Sequence, residues 1–382
     1  MSTALETLAR LSKTAEDLGL QHEQELSRLD ETAAAKRALE LLGNSGLCAW
    51  MVPAALGGAD ATGLALKDTI SVRAICVLRR SLAYHSAMLD VMLVMQGLGS
   101  FALTQAADLS LAKEILPQVA RGKLCAAFAL TEPGAGSSLT DITLRATRNA
   151  QGWKLSGHKT FISNAGIADV YTVLARTGDD PAELTMFCVQ APTKGLRSER
   201  FEVLGPHPIG DVFFDDVQVG ERALLGSEGR GLELALSILS RMRTSVAAAA
   251  NGFARRAFDE SRRHLLARKQ FGKPLAAFQG LAFDIAEMDT RTRAAELLVL
   301  EAAEAVDRGS ESTLEVARAK LFATENAGWV CDRALQHFGG LGVKRGSVVE
   351  ALYRDVRALR IYEGSSEVQK MILAKELFRR SS

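Results

Sequence analysis

Between Leu281 and Val306, the positions Leu281, Ile285, Met288, Thr292, Ala295, Val299, Ala302 and Val306 follow spacings of four and three without a slip. An α-helix turns once every 3.6 residues, so this spacing draws them into one stripe along a single long helix, suited to packing in a bundle. The segment Gly231 to Gln270 reads the same way, with Leu232, Ala235, Leu236 and Leu239 opening its apolar face. Long neighbouring helices of this kind predict a four-helix bundle at the C-terminal end of the chain.

The texture upstream divides in two. Residues 1–122 are rich in Ala, Leu, Glu and Arg and read as a helical domain, interrupted at Val52-Pro53-Ala54-Ala55-Leu56-Gly57-Gly58, where proline and paired glycines break any helix. Across residues 123–226 the period changes to two. Val170-Tyr171-Thr172-Val173-Leu174, Leu184-Thr185-Met186-Phe187-Cys188-Val189 and Val212-Phe213-Phe214 are β-branched and aromatic segments separated by glycine, asparagine and proline, as in antiparallel strands and hairpins. Residues 227–382 return to helix. The expected fold class is α+β: an N-terminal helical domain, a central antiparallel β domain and a C-terminal four-helix bundle.

With 46 basic and 45 acidic residues among 382, the net charge is +1, and the global field gives no reason to expect nucleic acid or an anionic membrane as partner. An anionic ligand would have to be met by local arginines. No run of about 18 apolar residues is seen, which argues against a membrane span. The first twenty residues do not read as a secretory signal, so a cytoplasmic protein is expected. Cys48, Cys76, Cys125, Cys188 and Cys331 are odd in number, scattered and without a CxxC pair, and the six histidines show no HExxH spacing. Reduced, buried thiols and no metal chemistry are the reading.

Four stretches carry residue choices that are odd for plain scaffold. In Phe128-Ala129-Leu130-Thr131-Glu132-Pro133-Gly134-Ala135-Gly136-Ser137-Ser138 an apolar strand enters a turn of small residues that lets a ligand approach the backbone; an ordinary tight loop reads the same way. In Gly157-His158-Lys159-Thr160-Phe161-Ile162-Ser163-Asn164-Ala165, alternation sets Phe161 and Ser163 on one face of a strand, an aromatic wall and a hydroxyl for a planar heterocycle, or simply a strand ending in an Asn turn. In Arg268-Lys269-Gln270-Phe271-Gly272 a helix is read as ending at Gly272, its last-turn arginine available to a phosphate or serving as a cationic cap. The fourth stretch runs from Gln336-His337-Phe338-Gly339-Gly340 through Tyr353-Arg354-Asp355 to Ile361-Tyr362-Glu363-Gly364-Ser365-Ser366-Glu367-Val368-Gln369. Glu363 sits there between two helical segments, where partial desolvation would suit a general base and a solvated cap residue is the alternative.

In this order and at these distances, the four motifs resemble the acyl-CoA dehydrogenase family, from about Val52 to the C-terminus. The resemblance implies a helical domain, a β domain and a four-helix bundle enclosing one FAD, with the flavin ring between the β domain and the bundle. It implies that Phe128, Leu130, Thr131, Gly136, Ser137, Phe161 and Ser163 line the flavin. Arg268, Gln270, Phe271, Gln336, Gly339 and Gly340 are implied to reach FAD held mainly by a neighbouring subunit, which makes a homo-oligomer, a dimer of dimers, part of the function. Ser365 and Glu367 are further implied cofactor contacts. Ser137, Ser240, Arg243 and Gly364 are implied to line the thioester substrate. Glu363 is implied to take the α-proton while the β-hydrogen leaves as hydride to flavin N5, the enolate oxygen being stabilised by the glutamate's backbone N–H and a ribityl hydroxyl. An electron-transfer flavoprotein is the implied electron acceptor, and fatty acid metabolism the implied setting.

The chain departs from the family pattern in places. Ser138 stands where an aspartate is more frequent, and Phe161 stands in place of a tryptophan. Leu204-Gly205-Pro206-His207-Pro208-Ile209-Gly210 lacks the usual basic and serine-rich pattern, which puts CoA recognition in question and raises an acyl-carrier-protein thioester as the alternative substrate. Some members carry the base just before a bundle arginine; here Met242 precedes Arg243 and cannot act as one, which favours Glu363. A flavin oxidase or monooxygenase on the same fold and a non-catalytic acyl-binding scaffold are the remaining readings.

Overall fold

A computed structural model of the chain describes residues 2–65 and 69–379. The elements run helices, then strands, then helices, and the chain divides into two compact units. One unit comprises Met1–Gln21, Val72–Ala87 and Arg243–Ser382; the other comprises His22–Ser71 and Met88–Met242.

The N-terminal elements are α1 (Ser2–Arg28), α2 (Glu31–Asn44), α3 (Val72–His85), α4 (Ala87–Ala106) and α5 (Leu109–Ala120). Asp30 and Asp108 begin α2 and α5 by accepting hydrogen bonds from the free amides of the first turn. The expected break at Val52–Gly58 falls in the irregular stretch between α2 and α3. By length and composition α4 is apolar enough to cross a bilayer, more so than the sequence reading allowed, but Met88 through Leu103 are all buried in the protein. It lies against the sheet, close enough that a Cβ on Gly99 would sit 2.7 Å from the Ala127 amide nitrogen. The Gln96 side chain, fully buried, donates to the Leu124 carbonyl at 2.7 Å and accepts from the Ala126 amide at 3.0 Å.

The sheet is built from β1 (Ala126–Ala129), β2 (Arg145–Asn149), β3 (Gly152–Ser163), β4 (Val170–Arg176), β5 (Leu184–Gln190), β6 (Leu196–Arg200), β7 (Ile209–Val219) and β8 (Leu224–Leu225). Its order is β6-β7-β3-β2-β4-β5-β8, with β1 paired to β4. The three strand segments singled out in the sequence fall in β4, β5 and β7. Most neighbours are antiparallel, as alternation predicted, but β1 and β2 both join β4 in parallel, pairings that no local pattern announces. The burial of every residue in β1, and of all but the last in β4 and β5, fits central strands covered on both faces. Trp153 meets Phe187 edge-on in the core, with ring centroids 5.2 Å apart.

The helical unit is made by the C-terminal part of α6 (Gly231–Ala267) with α7 (Gln279–Asp307), α8 (Thr313–Phe338), α9 (Val348–Asp355) and α10 (Ser366–Arg379), joined by α3 and the first part of α1. The stripe on α7 is as expected: Met288, Thr292, Ala295, Val299 and Ala302 are buried, and Ile285 and Val306 pack on the core. On α6 the expected face is rotated. Leu236 is exposed, and the buried positions include Ala235, Ile238, Met242, Val246 and Ala249, because a three-residue step from Ala235 leads to Ile238. Alanines at 247–250, 254, 257, 319, 323 and 327 let the helices approach closely. The Asp307 carboxylate caps the start of α3 by accepting from the Val72 and Arg73 amides. All five cysteines are free and buried, as expected.

Candidate functional site

Within the sheet unit, β1 runs through Leu130 and Thr131 into a tight turn closed by reciprocal backbone hydrogen bonds between Glu132 and Ala135. Glu132 does not face solvent. Its carboxylate, 4% exposed, accepts from the Thr143 amide and hydroxyl, the Leu144 amide and the Lys159 ammonium. Burial opposes its charge, yet Lys159 and the backbone donors prevail and hold the carboxyl below the usual range. Lys159, with no exposed surface, also donates to the Leu130 carbonyl at 2.7 Å, and burial pushes its ammonium down to about 8 against the pull of Glu132. The Thr160 amide donates to the Thr131 carbonyl at 3.0 Å, so the first two sequence motifs are joined side by side.

The candidate residues on this surface differ in what they offer. Phe128 and Leu130 are 8% and 7% exposed, so their side chains belong to the core and their backbone is what remains for a ligand. Thr131 is half-buried; Gly136 and Ser137 are exposed. A Cβ on Gly134 or Gly136 would meet nothing within 4 Å, so the turn borders open space. The expected alternation at Phe161 is interrupted. Phe161 adopts φ 54° at a register shift between Lys159 and Ile162, which throws its ring outward, 60% exposed and edge-on to Phe201 at 5.1 Å. Ser163 shares a 2.7 Å hydrogen bond with His207, whose imidazole burial pushes down to about 4, leaving it neutral near pH 7. Asn164, also at positive φ and fully buried, donates to the Ala126 carbonyl.

Within the helical unit, Glu363 lies in the break between a short 3-10 turn ending at Arg360 and α10. Glu363 and Gly364 both have positive φ, 52° and 90°, and a Cβ on Gly364 would come within 2.5 Å of the Gln369 amide nitrogen. Glu363 is half-buried, with Oε2 sealed from solvent. Three side chains from three helices hold this segment. Arg243 of α6 donates from Nε to the Glu363 carbonyl at 3.0 Å. Lys320 of α8 and Gln369 of α10 donate to the Gly364 carbonyl at 2.7 and 3.1 Å. Burial pushes the Arg243 guanidinium down from its ordinary value, against the pull of Glu363. One turn along α8, Glu325 accepts from Ser366 and Arg360. Ser365 accepts from the Val368 amide, and Glu367 is exposed; Ser240, on the part of α6 that belongs to the sheet unit, is exposed as well.

The remaining candidates gather elsewhere in this unit. α6 stops at Ala267, earlier than the sequence reading placed its end, so Arg268 lies beyond it; β9 (Lys269–Gln270) and β10 (Lys273–Pro274) form a hairpin whose tip is Phe271-Gly272. Positive φ at both tip residues, 51° and 78°, is the geometry of a two-residue hairpin turn and cannot continue a helix. Phe271 is 91% exposed. Gln336, Gly339 and Gly340 are exposed at the end of α8, while His337 between them turns inward to Ser261 and Asp284. Phe338 stacks on His264 of α6 at 4.1 Å, which brings the root of the Arg268 hairpin beside the Gln336–Gly340 turn. Sixteen residues separate Lys320 from Gln336 on one helix. At the helical rise that is about 24 Å, so the Glu363 cluster and the Gln336 cluster lie well apart on one chain. Sequence reasoning missed Lys320, Glu132, Lys159 and His207. For Lys320 a signal existed: it occupies the α8 stripe of Val316, Ala319, Ala323 and Ala327, where a cation is out of place.

Comparison with known proteins gives matches to the acyl-CoA dehydrogenase middle domain over residues 127–217 and to the acyl-CoA dehydrogenase C-terminal domain over residues 229–378. The chain is 33% identical to cyclohexane-1-carbonyl-CoA dehydrogenase of Geobacter metallireducens, over 90% of each chain. It is 34% identical to 3-(aryl)acrylate reductase of Clostridium sporogenes, over 97% of this chain and 98% of the other. Among solved structures, butyryl-CoA dehydrogenase from Megasphaera elsdenii superposes with a TM-score of 0.89 at 28% identity, over 99% of both chains.

Proposed function

The chain belongs to the acyl-CoA dehydrogenase family, flavoprotein oxidoreductases acting on CH–CH donors, and we propose that it interconverts a saturated acyl thioester and its trans-2-enoyl counterpart with Glu363 as the α-proton base. The observation that carries this reading is the build of the Glu363 segment: a half-buried carboxylate on a left-handed backbone whose carbonyls are fixed from α6, α8 and α10. A base must be held within reach of the proton it takes, and this segment has little freedom to move. Met242, fully buried ahead of Arg243, offers no competing base.

The cofactor is FAD, and the residues present fit it. An outward aromatic ring at Phe161, the Ser163 hydroxyl and the open small-residue turn at Thr131, Gly136 and Ser137 suit a planar heterocycle and its polar edge. When bound, FAD supplies the hydride acceptor for the β-hydrogen. In this reading Glu363 holds the α-proton taken from substrate, and its backbone N–H would stabilise the developing enolate oxygen. Arg243 and Gly364 line the thioester in this reading, and Ser365 and Glu367 touch the cofactor. Arg268, Gln270, Phe271, Gln336, Gly339 and Gly340 form the second cluster and serve the FAD of a neighbouring copy in a dimer of dimers. The separation of the two clusters along α8 and the exposure of Phe271, Phe283, Met371 and Phe378 on the helical unit support that assembly. Electrons pass onward to an electron-transfer flavoprotein.

The test is an anaerobic titration with a panel of saturated acyl-CoA thioesters, following flavin absorbance. Bleaching by one chain length is the expected result. Glu363→Gln should retain FAD and lose on the order of 10³-fold in the reduction rate; normal reduction in that variant refutes the assignment. A second reading, an acyl-carrier-protein thioester as substrate, is favoured by the loop around Leu204, which is 61% exposed and offers no basic side chain from Leu204 to Ile209 other than neutral His207. Turnover with an acylated carrier protein and none with any acyl-CoA decides for it. Because one relative is named for reduction of an acrylate, the enoyl thioester belongs in the same panel, with reduced enzyme.

A further inference from the structure

We propose that Lys320 is a positioning residue for Glu363, fixing the Glu363–Gly364 backbone through the Gly364 carbonyl and setting the electrostatic environment of the carboxylate. The inference rests on the reading of Glu363 as the base and adds a residue that no sequence motif singled out.

Lys320 has no exposed surface and lies on the apolar stripe of α8. An aliphatic side chain would fill that space without the cost of desolvating an ammonium, so the charge is there for what it faces. It donates to the Gly364 carbonyl at 2.7 Å, the shortest of the three bonds that hold the left-handed pair. Arg243 and Gln369 complete the grip from α6 and α10. The charged groups around the ammonium are Glu363 from the break, Arg243 from α6, Glu325 on α8 itself and Glu367 from α10. Burial pushes Lys320 down to about 8; Glu363, Glu325 and Glu367 pull it up, and Arg243 pushes it down. It is therefore charged near pH 7, a cation beside the base, and that cation favours the ionised, proton-accepting form of a carboxylate.

Three variants separate the hydrogen bond from the charge. Lys320→Met removes both, Lys320→Gln keeps a donor without charge, and Lys320→Arg keeps a permanent charge. Each is measured as the FAD-loaded full chain, with flavin content and thermal midpoint checked first, by anaerobic stopped-flow reduction across pH, beside Glu363→Gln. Lys320→Met is expected to slow limiting reduction by roughly 10- to 100-fold, as when a reacting group is misplaced by about 1 Å. Its acid limb should also move up by about one pH unit or more. Lys320→Gln should recover much of the rate but keep the shifted limb, and Lys320→Arg should return the limb toward wild type. An unshifted limb in both Met and Gln variants, while Glu363→Gln is inactive, overturns this inference and leaves the base intact. Full activity in Glu363→Gln overturns both. Should the arginine variant not fold, the comparison of Met with Gln decides alone.

Discussion

Replacing Lys159 by methionine should loosen the turn that follows β1 without touching any exposed candidate residue. The lysine is wholly buried, bonded to the Glu132 carboxylate at 2.9 Å and to the Leu130 carbonyl at 2.7 Å. Removing one partner of a buried pair costs about 3–5 kcal/mol because the other charge is left behind. Glu132 retains three donors, from Thr143 and Leu144, which argues for the lower figure, about 3 kcal/mol. The Leu130 carbonyl loses its bond to Lys159, adding about 1 kcal/mol. The expected loss is therefore about 4 kcal/mol at neutral pH. Pairing the change with Glu132→Gln removes the stranded charge and should recover about half of it or more. The assay is a double-mutant cycle by urea denaturation of the apoprotein, with FAD affinity measured alongside, since the turn that slackens carries Thr131. A single variant that loses less than about 1 kcal/mol and binds FAD as tightly as wild type would show that the pair neither stabilises the turn nor shapes the site.

Three further outcomes can be checked. Gly364→Ala meets both a φ of 90° and a Cβ placed 2.5 Å from Gln369, so flavin reduction should fall by roughly 100-fold, with a stability loss of about 1–3 kcal/mol, read by stopped flow and thermal melting. The folded pKa of His207, about 4, lies below its unfolded value near 6.5, so between those values the unfolded chain holds the extra proton. Stability should therefore fall as pH drops from about 6.5 to 4, and His207→Gln should flatten that slope in denaturation curves taken across the window. Phe161→Ala should weaken FAD binding by several-fold to 100-fold while leaving the melting temperature of the apoprotein nearly unchanged, because the ring is mostly exposed; a large drop in apoprotein stability would contradict that placement.

The helix–sheet–helix order was legible because it rests on local periodicity, and the α7 stripe from Ile285 to Val306 was legible for the same reason. The rotation of the α6 face was not. Leu236 and Ile238 are equally apolar, and which of them is buried depends on what packs against the helix, which a local pattern does not encode. The end of α6 at Ala267 was misplaced because the Phe271-Gly272 turn needs two positive φ angles, and only the glycine advertises one. In the site, exposed motif residues such as Gly136 and Gln336 could be named because their residue types are unusual for scaffold. The buried partners that hold the motifs, Lys159 under Leu130 and Lys320 under Gly364, lie 29 and 44 positions from what they touch. Contacts at that separation carry no local signal beyond a charge in an apolar stripe.

That charge is the more general clue. A lysine on the buried face of a helix or strand is unfavourable by itself, so its presence points to an acceptor brought from elsewhere in the chain. In both cases found here the acceptor includes a main-chain carbonyl in or beside an irregular segment, Leu130 ahead of the tight turn and Gly364 in the left-handed break. Irregular backbone leaves carbonyls that no helix or sheet partner satisfies, and a long cationic side chain reaches them without imposing its own secondary structure. The two lysines thus solve the same problem in two units of the fold: each holds open a backbone conformation that the surrounding regular elements would not supply. At these two places the residues proposed to act, Thr131 after β1 and Glu363 in the left-handed break, lie on irregular backbone, and the lysines that hold that backbone lie on the regular elements β3 and α8.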